Sequence, residues 1–287
     1  MKIVVFDLDE TLGYFVEFGI FWDCLHKYLI QHYDISNIQI PDNDYTLELN
    51  QQQFNSILNL YPEFLRPNII PILNYLKQKK LSKCCNQMMV YTNNQGPRKW
   101  AHKLINYFES KINYKLFDQI ISAFKINGKR VEICRTSHNK SYKDLIKCTK
   151  IPLHAEICFL DDNYFPEMTN KNVYYINLKP YVYDLNFEEM LDRFMNAKIY
   201  KNIVHQENLN EEERNSYFKK CMMDYYNEYH FTYVEKNKKE YEIDQILGKT
   251  IMMHLHTFFN KSLREHTNNN KTKKNNPSNK NRTRRMK

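Results

Sequence analysis

Glycine is scarce in this chain, 5 residues in 287, and only 9 prolines are present, which excludes collagen-like and glycine-rich architectures. No stretch approaches the roughly 20 apolar residues of a membrane span. The first apolar run, Ile3-Val4-Val5-Phe6, is cut short by Asp7, so neither a signal peptide nor a membrane anchor is expected. Cys-x-x-Cys spacing is missing too. The seven cysteines (24, 84, 85, 134, 148, 158, 221) are odd in number and lie mostly among apolar neighbours, as reduced buried thiols do. The expected location is therefore intracellular, cytoplasmic or nuclear. No internal repeat is present. What the chain does have is a 42% hydrophobic share with 22 Tyr and 17 Phe, which argues against wholesale disorder, and enough length to bury a sizeable core.

Charge is unevenly placed. Of the 42 Lys and Arg, eight fall in residues 267–287, which hold no Asp or Glu; without them the remaining bases almost cancel the 33 acids, and the formal +9 drops to +1. Net charge thus does not assign the rest of the chain a polyanionic partner. The 267–287 segment lacks apolar periodicity and reads as a disordered basic tail, available to RNA, an acidic protein or an import receptor.

Three short apolar runs end in polar clusters. Residues 3–6 lead into Asp7-Leu8-Asp9-Glu10-Thr11; Met88-Met89-Val90-Tyr91 lead into Thr92-Asn93-Asn94-Gln95; Ile157-Cys158-Phe159-Leu160 lead into Asp161-Asp162-Asn163. Helical spacing lies between them, at Ile69, Ile72, Leu73 and Leu76 and again at Trp100, Leu104, Ile105 and Phe108. Strands alternating with helices imply an α/β fold with a mostly parallel sheet, whose ligands bind beyond the carboxyl ends of the strands. Residues 13–65 interrupt the pattern with two helical patches. From 197 to 266 the chain reads as a helical extension of a 1–196 domain.

Each of these groups has a mundane explanation as a turn, cap or solvated lysine, but three polar clusters at strand ends with a lysine pair ahead of the third suit phosphoryl transfer. A carboxylate at Asp7 or Asp9 could attack a phosphate ester while the other moves the proton. Like-charge repulsion then calls for a divalent cation and a fixed ammonium. Asp161 and Asp162 offer hard oxygen ligands suited to Mg²⁺. Lys140 and Lys143 are the ammonium candidates, and Thr92 with the Asn93 N–H could hold phosphoryl oxygens.

The three clusters and a lysine near 143 resemble motifs I, II, IV and III of the haloacid dehalogenase (HAD) superfamily over roughly residues 1–195. The strings Asp-Leu-Asp-Glu-Thr-Leu, Leu65-Arg66-Pro67 and Tyr142-Lys143-Asp144-Leu145 look most like the FCP/SCP (NLI-interacting-factor-like) phosphatases of phosphoserine proteins. The resemblance implies a HAD-type Rossmann-like domain with a small insertion after motif I. It implies Asp7 as nucleophile, Asp9 as general acid and base, and Thr92 and Lys143 as phosphoryl ligands, with Thr11 and Asn93 contacting substrate. Mg²⁺ would be held by Asp7, the Asp9 backbone carbonyl and Asp162, with Asp161 as a ligand or as the lysine's partner. The expected activity is a Mg²⁺-dependent phosphatase working through an aspartyl-phosphate on phosphoprotein.

Thr-Asn-Asn-Gln in motif II is more similar to phosphatases of small-molecule or nucleic-acid-end phosphates, and a helical lid at 13–65 would restrict entry to small substrates. A catalytically idle module that binds a phosphorylated partner is the reading from another class. His254-x-His256 reads as a helix-surface pair, Cys84-Cys85 as incidental, and the aromatics of 217–233 as core.

Overall fold

The computed structural model describes residues 1–32, 49–96, 98–204 and 210–260. Five parallel strands form the central sheet: β1 (Lys2–Phe6), β2 (Gln87–Tyr91), β3 (Gln119–Ile121), β6 (Glu156–Asp161) and β7 (Val173–Asn177), in the order β3-β2-β1-β6-β7. The chain steps outward from β1 through β2 to β3, then returns to the other side of β1 for β6 and β7. This is a Rossmann-like arrangement whose direction reverses beside β1, where open α/β sheets place their ligands. The register puts Phe6 level with both Val90 and Leu160, so the polar clusters that follow all open at one edge.

Alternate residues of the strands feed two cores. Val4, Phe6, Met88, Val90, Cys158 and Leu160 face the larger one; Ile3, Val5, Met89, Tyr91, Ile157 and Phe159 face a smaller one with Leu145 of α5 (Tyr142–Thr149). Burial on both faces explains why these strands read as continuous apolar runs.

The larger core is roofed by α1 (Val16–His32), α2 (Gln51–Leu58), α3 (Ile69–Leu81) and α4 (Arg98–Ile112). The 13–65 insertion is helical as expected, with Phe18, Phe21, Trp22, Leu25, Tyr28 and Leu29 on the buried face of α1; its stretch at 33–48 lies outside the described residues. Between β3 and α5 there is no second domain, only the hairpin of β4 (Lys125–Ile126) and β5 (Lys129–Arg130). Its two turn residues, Asn127 and Gly128, both have positive φ, as a tight hairpin requires.

After β7 the chain forms α6 (Phe187–Met195), α7 (Lys198–Ile203), α8 (Glu211–Asn227) and α9 (Lys238–Asn260). These helices share the larger core instead of building their own. Phe218 of α8 packs edge-on against Tyr28 of α1, and Tyr226 stacks on Phe187 with ring centroids 4.0 Å apart. On α9, Gly248 passes so close to the turn before α3 that a Cβ there would lie 2.4 Å from the Pro67 carbonyl oxygen. His254 and His256 diverge, His254 to the Tyr174 hydroxyl at 2.8 Å and His256 to the Tyr75 ring. The basic tail lies outside the described residues. No described helix is long and apolar enough to cross a membrane.

One expectation about cysteine is corrected. Cys134 and Cys148 form a disulfide, their Cα atoms 5.0 Å apart, because the far end of α5 returns the chain beside the loop that precedes it. The remaining five are free, with Cys24, Cys85 and Cys158 buried. A wholly reduced set, and the reducing compartment read from it, do not follow from this structure.

Candidate active site

Asp7 sits just past the end of β1, 5% exposed, its backbone N–H donating to the Leu160 carbonyl of β6 at 2.8 Å. The loop after it is fixed by Arg66, which is 1% exposed and donates to the carbonyls of Glu10, of Thr11 (2.7 Å) and of Lys179 (2.9 Å). One guanidinium therefore ties the Glu10 and Thr11 carbonyls of the turn to the Lys179 carbonyl just after β7.

The ammonium that reaches this site belongs to Lys140, not to Lys143. Lys140 is 2% exposed and donates to Asp7 Oδ1 and, at 2.6 Å, to Asp161 Oδ2. Lys143 is exposed. The reason is local. Ser141 is the N-cap of α5, its hydroxyl accepting from the Asp144 N–H, so residue 140 lies in the extended approach and residue 143 lies inside the helix. Asp144 and Leu145 take the inward face, Asp144 accepting from the N–H and hydroxyl of Thr136, which leaves Lys143 on the outer one.

Oxygens of Asp7, Asp161 and Asp162 lie within 4.8 Å of one another. Asp162 accepts from the Thr11 hydroxyl at 2.9 Å and from the Asn163 amide at 2.8 Å, so Thr11 orients a carboxylate and does not stand free for substrate. Asp161 accepts from the Asn163 N–H in addition to Lys140, which makes it the lysine's partner. The Asp9 carboxylate stands apart from this triad and takes the Asn94 amide at 2.9 Å. Its place in a metal set rests on the backbone carbonyl that the motif resemblance implies.

Burial dominates the protonation of these groups. It pushes Asp7 upward against the pull of Lys140, Asp161 up to about 7 against the same lysine, and Asp9 up to about 7 with help from the Asp7 charge and opposition from Asn94. Burial alone would lower Lys140, but Asp7 and Asp161 outweigh it and hold its ammonium above the usual range. Three carboxylates against a single ammonium leave an excess of negative charge in a dry site. Hard oxygens at this spacing fit a divalent cation, and its charge would return the carboxylates to their ionised forms.

The second strand end supplies Thr92, 1% exposed, whose hydroxyl accepts from the Asn94 N–H at 2.9 Å. The Asn93 side chain is turned away to Arg135 at 2.7 Å, leaving the Asn93 N–H as that residue's possible contact with substrate. Arg135 itself was not foreseen. It is fully buried, lies over the Tyr91 ring, and donates to the Thr92 and Ser122 carbonyls (2.9 Å each), to Asn93 Oδ1 and to the His138 carbonyl (2.9 Å). The loop carrying Lys140 is thereby tied to the ends of β2 and β3. Asn94 was visible in the Thr-Asn-Asn-Gln string but without a role.

No family model matches the chain, and neither the curated proteins nor the solved structures searched contain a match.

Proposed function

We propose that the chain is a Mg²⁺-dependent phosphatase of the HAD type that hydrolyses phosphate monoesters through an aspartyl-phosphate on Asp7. The observation that carries this is the pairing of a buried nucleophile candidate, Asp7, held by Lys140 beside a carboxylate triad, with a second carboxylate two residues on, Asp9, that burial keeps near neutrality. Asp7 Oδ would attack phosphorus as the bond to the leaving oxygen breaks, and Asp9 would give that oxygen its proton. Asp9 would then take a proton from the water that attacks the phosphoryl group, releasing phosphate and restoring Asp7. Lys140 and the Asn93 N–H would bind phosphoryl oxygens whose charge grows during transfer. Mg²⁺, when bound by Asp7, Asp162 and the Asp9 carbonyl, would neutralise charge shared by nucleophile and phosphate. The residues of α1 and α4 that border the Asp9 side of the site, Gly19, Ile20, Trp22 and Trp100, favour a small phosphate ester over the phosphoserine protein that the motif strings suggest.

Asp7→Asn is expected to abolish hydrolysis of an aryl phosphate in the presence of Mg²⁺; unchanged turnover overturns the mechanism. Retained phosphate binding with no turnover by the parent protein under any metal would instead favour the binding-module reading.

The two lysines separate cleanly. Lys140→Met should lower kcat/KM by at least about 10²-fold, the scale of losing one preorganised charge stabiliser, whereas Lys143→Ala should stay within about two-fold, as exposed groups away from the chemistry usually do. A larger effect at Lys143 than at Lys140 would show that the loop is arranged differently in the working protein.

A further inference from the structure

A groove of about 390 Å³ opens beside Asp9 and Asn94. Its walls are Phe15, Gly19 and Trp22 from the insertion, Trp100 from α4, and Tyr229 from the turn after α8. Tyr229 is held there by a hydrogen bond to Asp23, so the C-terminal extension closes one side. Gly19 leaves the floor open: a Cβ at that position would meet only Trp100, at 3.7 Å.

We propose that this groove receives the ring of an aryl phosphate monoester, an inference that rests on the phosphatase reading above. Three observations point to an aromatic, uncharged leaving group. Asp9, the residue assigned to protonate the leaving oxygen, lines the groove, which is therefore the adjoining space for whatever that oxygen carries. Four of its eleven lining residues are aromatic, Phe15, Trp22, Trp100 and Tyr229, and aromatic faces meet a flat ring edge-on or offset at favourable separations. Among the described residues that line it, the charged ones are Asp9 and Asp23, the latter paired with Lys27 at 3.8 Å, so the lining itself offers no cation to a second anionic group on the leaving side. The volume falls in the range of small-molecule sites and suits one or two rings.

The chain contains 2 Trp, and both line this groove, so intrinsic fluorescence reports its occupancy independently of turnover. The full chain is titrated with phenol and with cyclohexanol. Phenol is expected to change the tryptophan emission saturably and cyclohexanol to do so at least about five-fold more weakly, given the preference of aromatic pairs. No saturable change with phenol, or an equal response to both, overturns the inference.

In Gly19→Leu, which fills the floor with a good helix former, the ratio of kcat/KM for phenyl phosphate over ethyl phosphate should fall at least about ten-fold, the scale of losing a ring contact in an apolar pocket. An unchanged ratio in a folded variant counts against the groove, and if the variant does not fold, the titration of the parent protein decides alone. A saturable phenol response without hydrolysis of any ester would sink the phosphatase reading while leaving the groove's preference standing; hydrolysis without that response would do the reverse. Comparing phenyl phosphate with a phosphotyrosyl peptide then distinguishes a free aryl ester from a ring presented on a peptide, either of which supports the inference.

Discussion

Arg135→Met is expected to destabilise the fold by about 3–5 kcal/mol and to remove turnover with it, since buried acceptors left unpaired cost about 1–3 kcal/mol each before water partly replaces the donor. The four acceptors of Arg135 come from three separate segments: the end of β2, the end of β3 and the approach to α5. Losing the guanidinium releases the loop that carries Lys140 into the site as well as the one that carries Thr92. Burial lowers the pKa of Arg135 from its ordinary value, yet a guanidinium remains charged at neutral pH, so these are charge-assisted bonds. Arg135→Lys should recover only part of the loss, because three donors on one nitrogen cannot span acceptors that lie on both sides of a planar fork. Urea unfolding of the metal-free protein, read beside kcat and KM for phenyl phosphate, tests this. A Met variant within 1 kcal/mol of the parent, as surface substitutions commonly are, and still active would show that the loops hold their places without it.

The second large effect concerns Glu17, which lies in α1 and is 0% exposed. One of its oxygens accepts from the Leu185 N–H at 3.2 Å, while the other and Asp184 Oδ1 have no donor between them unless a proton is shared. Burial, reinforced by the Asp184 charge, pushes Glu17 up to about 8. Below the ordinary glutamate pKa near 4.5 the group is protonated in both folded and unfolded chains and contributes no pH dependence. Between there and about 8 the unfolded chain releases a proton that the folded chain keeps, so stability falls as pH rises through that window.

Glu17→Gln keeps a donor toward Asp184 and does not titrate. Relative to the parent it should gain about 2–4 kcal/mol in going from pH 5 to pH 8, the order expected for a shift of this size. Thermal or denaturant unfolding at the two pH values measures the difference. Other raised carboxylates, such as Asp9 and Asp161, titrate in both proteins and cancel from the comparison. A constant difference across the window would mean that Glu17 is ionised in the folded chain.

The strand ends were legible because strands buried on both faces leave an unmistakable pattern: uninterrupted apolar residues stopping at Asp7, Thr92 and Asp161. The helical insertion was legible from the spacing of Phe18, Phe21, Trp22 and Leu25. The choice between Lys140 and Lys143 followed a string similarity, whereas the fold decides it by where α5 begins, a signal present in Ser141 followed three residues later by Asp144. Arg135 left no trace in local pattern, since its partners are mostly backbone carbonyls brought together by the sheet. The Cys134–Cys148 pairing was equally hidden: fourteen residues of separation say nothing until α5 turns the chain back. Arg66 lay in a turn noted only for its similarity, and its work on the Glu10 and Thr11 carbonyls needed coordinates to be seen.

The central position of β1 also sets a timetable for biosynthesis. Lys2 pairs across to Glu156, so the strand that leads into Asp7 lacks its β6 neighbour until the chain as far as β6 has been made. At ordinary elongation rates that interval is on the order of ten seconds. During it, the apolar strand Ile3-Val4-Val5-Phe6 presents an open edge to whatever is nearby. Contacts this distant along the chain also slow folding itself. Heterologous expression should therefore gain more from added chaperone than from any substitution that strengthens the finished structure.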